Sequence, residues 1–550
     1  MEKKRIISLV LGIIVLLTAC SVSEEHEVSV EEEESRPEKL VIYASGNGFH
    51  FTLEDETKFS RYPSIAMMGD RMILGELGAP SGNIFAKALE DFSNETGIEI
   101  EVHFLEEYAG TSDGLQEIVE SGEPLPDAML VGRHPRYDYI RLAEQGYLLD
   151  FTEWIEKDEA VLDSEQYYSE VIQGGRIGEK QYILPILFGM NAMITSENYL
   201  SQIGMGIPEE GYTYEAYVHL LEESCIAMQS EPLQEALYET SGMRSVGIYF
   251  PSILTAAAYP SYWDRNGELL LEKSVLTSIL ELMNEYYRQE FVSIPDWESR
   301  EYYENCNDMR GKQRMLRSQN NREICEYVGI YLTGGRCGGT NIYHNLLTDA
   351  AYMQSVYEEK GESMVLRGLP TASDPYSYSA NIGQMLIGFA GTEYPEAVYE
   401  LGRYLMDYEY PVYYGFSVNQ EITGRQVEQM QTTELTVYPD WVWSSVEGGF
   451  STLEEVKEAT EHIVPLEEET VAIIEEMLNH IAGAGIPYSP LEYTMYTSMQ
   501  QGVHNKEYTP EEAAEWLIEH LEEHQEVQEN LKPFYDKEYE HMLLRWDEGE

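Results

Sequence analysis

Phe85-Ala86-Lys87-Ala88-Leu89-Glu90-Asp91-Phe92-Ser93-Asn94-Glu95-Thr96-Gly97, followed by Ile98-Glu99-Ile100-Glu101-Val102, changes its hydrophobic period across a single glycine. Ile84, Phe85, Ala88, Leu89 and Phe92 repeat at helical spacing, with Ser81 or Asn83 available to cap the start and Gly97 to stop the helix. Ile98, Ile100, Val102 and Phe104 then alternate with Glu99, Glu101 and His103, the period of a strand. Upstream, Leu40 to Ala44 is a short apolar run ending in Ser45-Gly46-Asn47-Gly48, a buried strand and its loop. Downstream come a helix near Leu115–Val119, a buried strand Ala128–Val131 introduced by Pro126-Asp127, a loop Gly132–Pro135 and a helix ending at Gly146. Strand and helix in strict alternation predict an α/β fold with a parallel, doubly wound sheet.

Further along, Tyr182-Ile183-Leu184-Pro185-Ile186-Leu187-Phe188 is apolar but holds a proline, which cannot donate to a ladder, so an edge or crossing strand is expected. Met190–Thr195 reads as the next strand, Thr213 opens a helix over Tyr217, Leu220 and Leu221, and Val275–Phe291 is helical. Gln384–Phe389 is one more buried strand and Glu396–Met406 a helix. The last third is helical, with capping boxes at Ser451-Thr452-Leu453-Glu454 and Thr509-Pro510-Glu511-Glu512. No internal repeat stands out.

The first residues read as an export signal. Lys3, Lys4 and Arg5 precede an apolar run Ile6–Leu17 that is short for a bilayer span, and Leu17-Thr18-Ala19 places small residues before Cys20. This pattern resembles a bacterial lipoprotein signal, with lipid attached to Cys20 after removal of residues 1–19; an ordinary signal peptide with a chance cysteine is the alternative. Residues 20–38, with the block Glu31–Glu34, are expected to form an acidic disordered tether. The expected location is the extracellular face of the cell membrane, held by that lipid.

Formal net charge is −64, and residues 1–19 carry three positive charges and one negative, so the exported part sits near −66. Such a chain is a poor partner for nucleic acid. Cys225, Cys306, Cys325 and Cys337 have no CxxC or zinc-type spacing, and their pairing is left open. No H-E-x-x-H, P-loop or EF-hand loop is present, and Gly78-Ala79-Pro80-Ser81-Gly82 misplaces its serine for a nucleophile elbow. No catalytic residue, metal or cofactor is expected.

Several blocks in order resemble extracellular solute-binding proteins of family 1, the lipoprotein receptors of carbohydrate ABC importers in the maltose-binding class. They are FAKALEDFSNETG with IEIEV, LQEIVESGEPLPDAMLV, LAEQGYLLDFTEWI, GRIGEKQYILPILFGMNAMITSENYL, YPEAVYELGRYLMDYEY with GFSVNQEI, and EYTPEEAAEWLIEHLEE. The resemblance implies a two-lobed type II periplasmic-binding fold, each lobe a doubly wound, mostly parallel sheet, with extra C-terminal helices. It implies lobe 1 over 39–186 and 381–420, and lobe 2 over 187–380 and 421–550. Residues 46–80, 300–345 and 425–450 look like insertions. It also implies a sugar held in the interlobe cleft, permease subunits as partners, a hinge motion on binding, and a monomer.

Sugar recognition needs flat rings for C–H faces and planar polar groups for hydroxyls. With 42 Tyr and 7 Trp the chain is rich in rings, most of which serve packing. Tyr262-Trp263-Asp264 lies in a turn; Trp441 and Trp443 share a face if extended; Tyr493 and Tyr496 share a helix face. These three clusters are candidate ligand platforms, with core packing as the alternative. Arg133, His134 and Arg136 follow a buried strand, where open α/β sheets place ligands, or else form a solvated loop. Asp127 is expected to orient its strand. A polyamine or peptide receptor, a sensory protein of the same fold and a tethered glycoside hydrolase are the rival readings.

Overall fold

The computed structural model describes residues 36–45, 63–68, 71–76, 82–105, 122, 124–131, 139–163, 165–208, 211–227, 254–255, 257–260, 269–288, 330–332, 346–410, 415–432, 435–437, 461–463, 465–485 and 508–522. The chain begins with β1 (Lys39–Ser45), β2 (Pro63–Met68), β3 (Arg71–Glu76), α1 (Gly82–Thr96), β4 (Glu99–Leu105) and β5 (Ala128–Val131). Helices α2 (Tyr139–Glu144), α3 (Thr152–Lys157), α4 (Glu159–Leu162) and α5 (Ser169–Gln173) follow. Next come β6 (Arg176–Ile177), β7 (Lys180–Gln181), β8 (Ile183–Met190), β9 (Ala192–Ser196), α6 (Glu197–Gln202), α7 (Tyr214–Ala227) and α8 (Lys273–Arg288). Then β10 (Ile330–Leu332), α9 (Leu346–Lys360), β11 (Met364–Gly368), β12 (Tyr378–Gly388), α10 (Pro395–Met406), β13 (Phe416–Ser417) and α11 (Gln420–Thr432). The described chain closes with β14 (Leu435–Val437), β15 (Glu461–Ile463), α12 (Glu468–Asn479), β16 (Ile481–Gly485) and α13 (Pro510–Glu522).

The main sheet has the order β13-β8-β12-β5-β1-β4, with β16 joined to β12. β1 lies parallel to β4 and β5, as the alternation of elements predicts. β12 is antiparallel to both β5 and β8. All four side chains of β5 are buried, because helices cover both faces of a strand in the middle of such a sheet. Phe85, Ala88, Leu89 and Phe92 of α1 are buried in that core, as their spacing requires.

A second sheet, β10-β9-β11, is antiparallel throughout its three described strands. The parallel order expected from the first third of the chain therefore does not extend to it. Residues 330–332, expected within an insertion, form one of its edges. Helix α9 packs on β9 and β11, and α7, α8 and α13 share a further core through Tyr217, Leu221, Ile279 and Leu517. The Thr509 capping box forms as its sequence predicts: Thr509 N–H donates to Glu512 Oε2 at 2.8 Å and Glu512 N–H to Thr509 Oγ1 at 3.2 Å.

Pro185 sits in β8 where it costs no ladder bond on the outer side. β13 pairs with Leu187 and Phe188, Val418 N–H reaches Ile186 O and Ile183 N–H reaches Gly175 O, so no strand pairs with Pro185 on that side among the described residues. The run Met190–Thr195, read as one strand, is broken at Asn191, where the chain leaves the main sheet for the second one.

Two polar clamps hold the main sheet. Asp127 Oδ2 accepts from Val41 N–H at 2.8 Å and Oδ1 from Thr392 Oγ1 at 2.6 Å, while Asp127 N–H donates to Val41 O at 2.9 Å. It thus fixes the entry of β5 against β1, as expected, at the end of the sheet away from the crossing. The second clamp is centred on Arg403 in α10. Its Nε donates to Asp158 Oδ2 at 2.6 Å and its Nη1 to the Tyr167 hydroxyl at 2.6 Å. Tyr167 donates in turn to Asp407, and Tyr399 donates to Asp158 at 3.1 Å. Burial pushes the Tyr167 hydroxyl up to about 12, and its bond to Asp407 adds to that. Burial alone would raise the Asp158 carboxyl, but the Arg403 bond and charge outweigh it and hold it below the usual carboxylate value.

Both clamps are testable. Asp127→Ala leaves the Val41 and Thr392 donors without their acceptor and is expected to lower stability by about 1–3 kcal/mol in urea unfolding. Arg403→Met strands two carboxylates at a largely buried site; with some solvent screening, the expected loss at neutral pH is about 2–4 kcal/mol. A depressed carboxyl gives stability above its unfolded value and loses it as pH falls through the folded one. Between pH about 4 and lower values, the natural chain should therefore lose more stability than Arg403→Met loses over the same range.

Candidate functional site at the strand crossing

The carboxyl ends of β1, β5 and β8 all face one end of the main sheet. In β12, Met385 lies opposite Val131, the last residue of β5, so Tyr378–Gln384 extends beyond that end. The order β4-β1-β5 reverses direction at β1, which makes this end a topological switch point, the place where open α/β sheets bind ligands.

Three stretches of chain meet here. β8 passes into β9 through Asn191. β11 returns into β12 through Leu369–Ser377. β16 lies parallel to the start of β12, with Ser379 opposite Gly483 and Asn381 opposite Gly485. Glycines let these backbones close up: a Cβ on Gly485 would stand 2.8 Å from Pro260 O, and one on Gly483 3.2 Å from Pro260 Cβ. Gly189 differs, because a Cβ there would meet nothing within 4 Å. Among the described residues, none therefore crowds the end of β8 at Gly189.

Two amides border that end. Asn191 is 6 % exposed and Gln384 7 %. Neither side chain hydrogen-bonds to another described residue. The other buried amides do: Gln181 donates to Ile172 O and Ile183 O, Gln354 bridges Pro465 O and Glu467 N–H, Asn419 caps α11 and Gln426 donates to Tyr410 O. Among the described residues no nitrogen or oxygen of either side chain is both fully buried and unpartnered, whereas Gln181 Oε1 and Gln426 Oε1 are. The two amides near the switch point therefore keep polar atoms that a solute could reach. Tyr168, packed edge-on against Phe188 at 5.3 Å, stays a neutral hydroxyl, because burial and then the Glu475 charge push its ionisation well above the usual value.

The sequence-predicted residues Arg133, His134, Arg136, Tyr262, Trp263, Asp264, Trp441, Trp443, Tyr493 and Tyr496 lie outside the described residues, as does Cys20. Chain leading to three of these four groups starts at the crossing: Val131 ends β5, Pro260 packs on Gly483 and Gly485, and Gly485 ends β16. Sequence reasoning missed Asn191 and Gln384. Their signal was a lone amide interrupting an apolar run in GMNAM and in IGQML. Among the described residues no cluster of three or more His, Cys, Asp or Glu could hold a metal, and no helix is long and apolar enough to cross a membrane.

No family model matches the chain, and no curated protein does. Among solved structures it is similar to an extracellular solute-binding protein family 1 from Alicyclobacillus acidocaldarius, at 14 % identity over 90 % of this chain and 100 % of that one, with a TM-score of 0.41. It is similar to an ABC substrate-binding protein from Listeria monocytogenes in complex with cycloalternan, at 11 % identity over 88 % and 98 %, TM-score 0.44. A third is an ABC transporter solute-binding protein from Thermotoga lettingae bound with alpha-D-tagatose, at 12 % identity over 88 % and 99 %, TM-score 0.44. No residue role comes with likenesses at these scores.

A side chain with no hydrogen bond to another described residue can be replaced by an apolar group of similar shape without stranding a partner. Asn191→Leu and Gln384→Met are each expected to leave the melting temperature unchanged or raise it. Gln181→Met, which frees two carbonyls, is expected to lower it. Calorimetry on the three variants checks the contrast.

Proposed function

We propose that this chain is a lipid-anchored solute receptor on the outer face of the cell membrane. It captures a sugar, in the oligosaccharide size range, between two lobes and passes it to the permease of an ABC importer. The observation that carries this reading is two amides without a hydrogen bond to another described residue, Asn191 just past the carboxyl end of β8 and Gln384 within β12 opposite Leu187. A planar amide offers a donor and an acceptor side by side, which suits adjacent sugar hydroxyls. The order of the family-like blocks, the ring-rich composition and the Leu17–Cys20 pattern support the same reading. Cys20 would hold the lipid, and the acidic stretch after it would space the receptor from the membrane.

A cationic solute such as a polyamine, or a peptide, is the second reading, favoured by the net charge of −64. A thermal-shift series with gluco-, manno-, galacto- and xylo-oligosaccharides, spermidine and short peptides decides between them. Ligand at a hundredfold excess over its Kd stabilises the fold by about 2.7 kcal/mol. A dose-dependent rise with one glycan family, and no release of product, is expected. A rise with spermidine or peptides alone would replace sugar as the cargo, and glycoside turnover by the purified chain would overturn the receptor reading. Asn191→Leu and Gln384→Met should each weaken binding of the responding glycan by about tenfold, the worth of one hydrogen bond. Cys20→Ser should move the protein from the membrane fraction to the medium.

A further inference from the structure

The hairpin β6–β7 is small, but it carries two polar atoms that the rest of the chain leaves without a hydrogen bond. Its strands pair Arg176↔Gln181 and Ile177↔Lys180, with Gly178 at φ +60° in the turn. Arg176 Nε and Gln181 Oε1 are both buried, and neither has a hydrogen-bond partner. The first is a donor and the second an acceptor. Directly opposed residues of an antiparallel pair project from the same face, with Cβ atoms about 4.5–5.5 Å apart. Nε of an arginine and Oε1 of a glutamine end the same number of bonds beyond Cβ. The two atoms therefore belong to the same side of the hairpin and to side chains of equal reach.

The glutamine cannot turn over to relieve its oxygen. Nε2 donates to Ile172 O at 2.8 Å and to Ile183 O at 2.6 Å, and exchanging N for O would set Oε1 against both carbonyls. Its backbone is fixed as well: Gln181 N–H donates to Thr152 Oγ1 at 2.9 Å, and Gln181 O accepts from Phe151 N–H at 2.7 Å. The corner beside it is tight. A Cβ on Gly175 would stand 2.1 Å from Ile183 O and 2.5 Å from Gln181 Nε2, and one on Gly174 2.6 Å from Ala484 O in β16. Such a corner suits a small occupant. Of the Arg176 nitrogens only Nε is both buried and unpartnered, so the outer end of the guanidinium is not what is left unsatisfied.

An anion at Arg176 would face the lone pairs of Gln181 Oε1, and a cation would face the guanidinium. An apolar group would satisfy neither atom. A water molecule accepts from Nε–H and donates to Oε1 at once, and buried waters typically meet about two to four polar partners in this way. We propose that one buried water bridges Arg176 Nε and Gln181 Oε1. It ties the hairpin to the clamp that Gln181 makes between the end of α5 and the first residue of β8. Two hydrogen bonds through a single water span about 4.5–5.5 Å, a distance that side chains of equal length keep when they start from opposed Cβ atoms. The site does not depend on the receptor reading; it concerns how the crossing strand β8 is held at its start.

The test is a crystal structure of the full chain at a resolution that shows ordered water. One water within about 3 Å of both Arg176 Nε and Gln181 Oε1 is expected. A direct Arg176–Gln181 hydrogen bond, a water that reaches only one of the two atoms, or no water between them would overturn the proposal. Thermal melting gives an independent readout in about 1 M sodium chloride, where screening acts within about 3 Å and loss of the arginine charge counts little. Arg176→Met removes the donor that holds the water and should lower the melting temperature. Gln181→Met lowers it too, and the double variant Arg176→Met/Gln181→Met should melt no lower than Gln181→Met alone, because either change by itself breaks the bridge. Arg176→Met melting at or above the natural chain, or a double variant melting below Gln181→Met, would contradict the bridge.

Discussion

The strand Tyr378–Gly388 governs the rest of the structure. It is hydrogen-bonded to β5 on one side and to β8 on the other, although the chain travels through the second sheet between β8 and β12. Placing it there forces the main sheet to accept one antiparallel member in its middle. That member brings the return of the chain to the same end as the exit at Asn191. The crossing is a consequence of that single insertion, and it falls at the same end as the switch point at β1. Pairing partners so far apart in sequence carry a large loop-closure cost, which the buried apolar faces of β5, β8 and β12 must offset.

Around this strand the polar side chains divide into two kinds. Asp127, Arg403, Asp407 and Asn419 are hydrogen-bonded through their side chains, as is Gln181 through its Nε2, and they lock elements together away from the crossing. Asn191 and Gln384, more buried than Asp127, Arg403 or Asp407, have no partners of that kind among the described residues.

Much of this fold was legible in the chain. The change of period across Gly97, the proline in β8 and the Thr509–Glu512 box each state a local physical requirement, and each is met. What was not legible depends on distant partners. Nothing near Ile330–Leu332 announces that it will border β9. Nothing near Pro63–Met68 announces that it will meet Leu435–Val437, since strand pairing leaves no local periodic mark of its partner. Asn191 looked like an interior residue of a strand because the apolar residues on both sides continue the run. For the site, aromatic and basic residues drew attention by type, whereas Asn191 and Gln384 stand out only once their burial and lack of partners are seen together.

The central claim is that Asn191 and Gln384 contact a sugar. The most direct measurement is NMR of the side-chain amides in the 15N-labelled chain, with these two resonances assigned by Asn191→Leu and Gln384→Met, during titration with the oligosaccharide that gives the largest thermal shift. The account predicts that both signals move and saturate along one binding curve, while those of Gln181 and Gln354 stay in place. Saturation of binding with the Asn191 and Gln384 signals unmoved would contradict it.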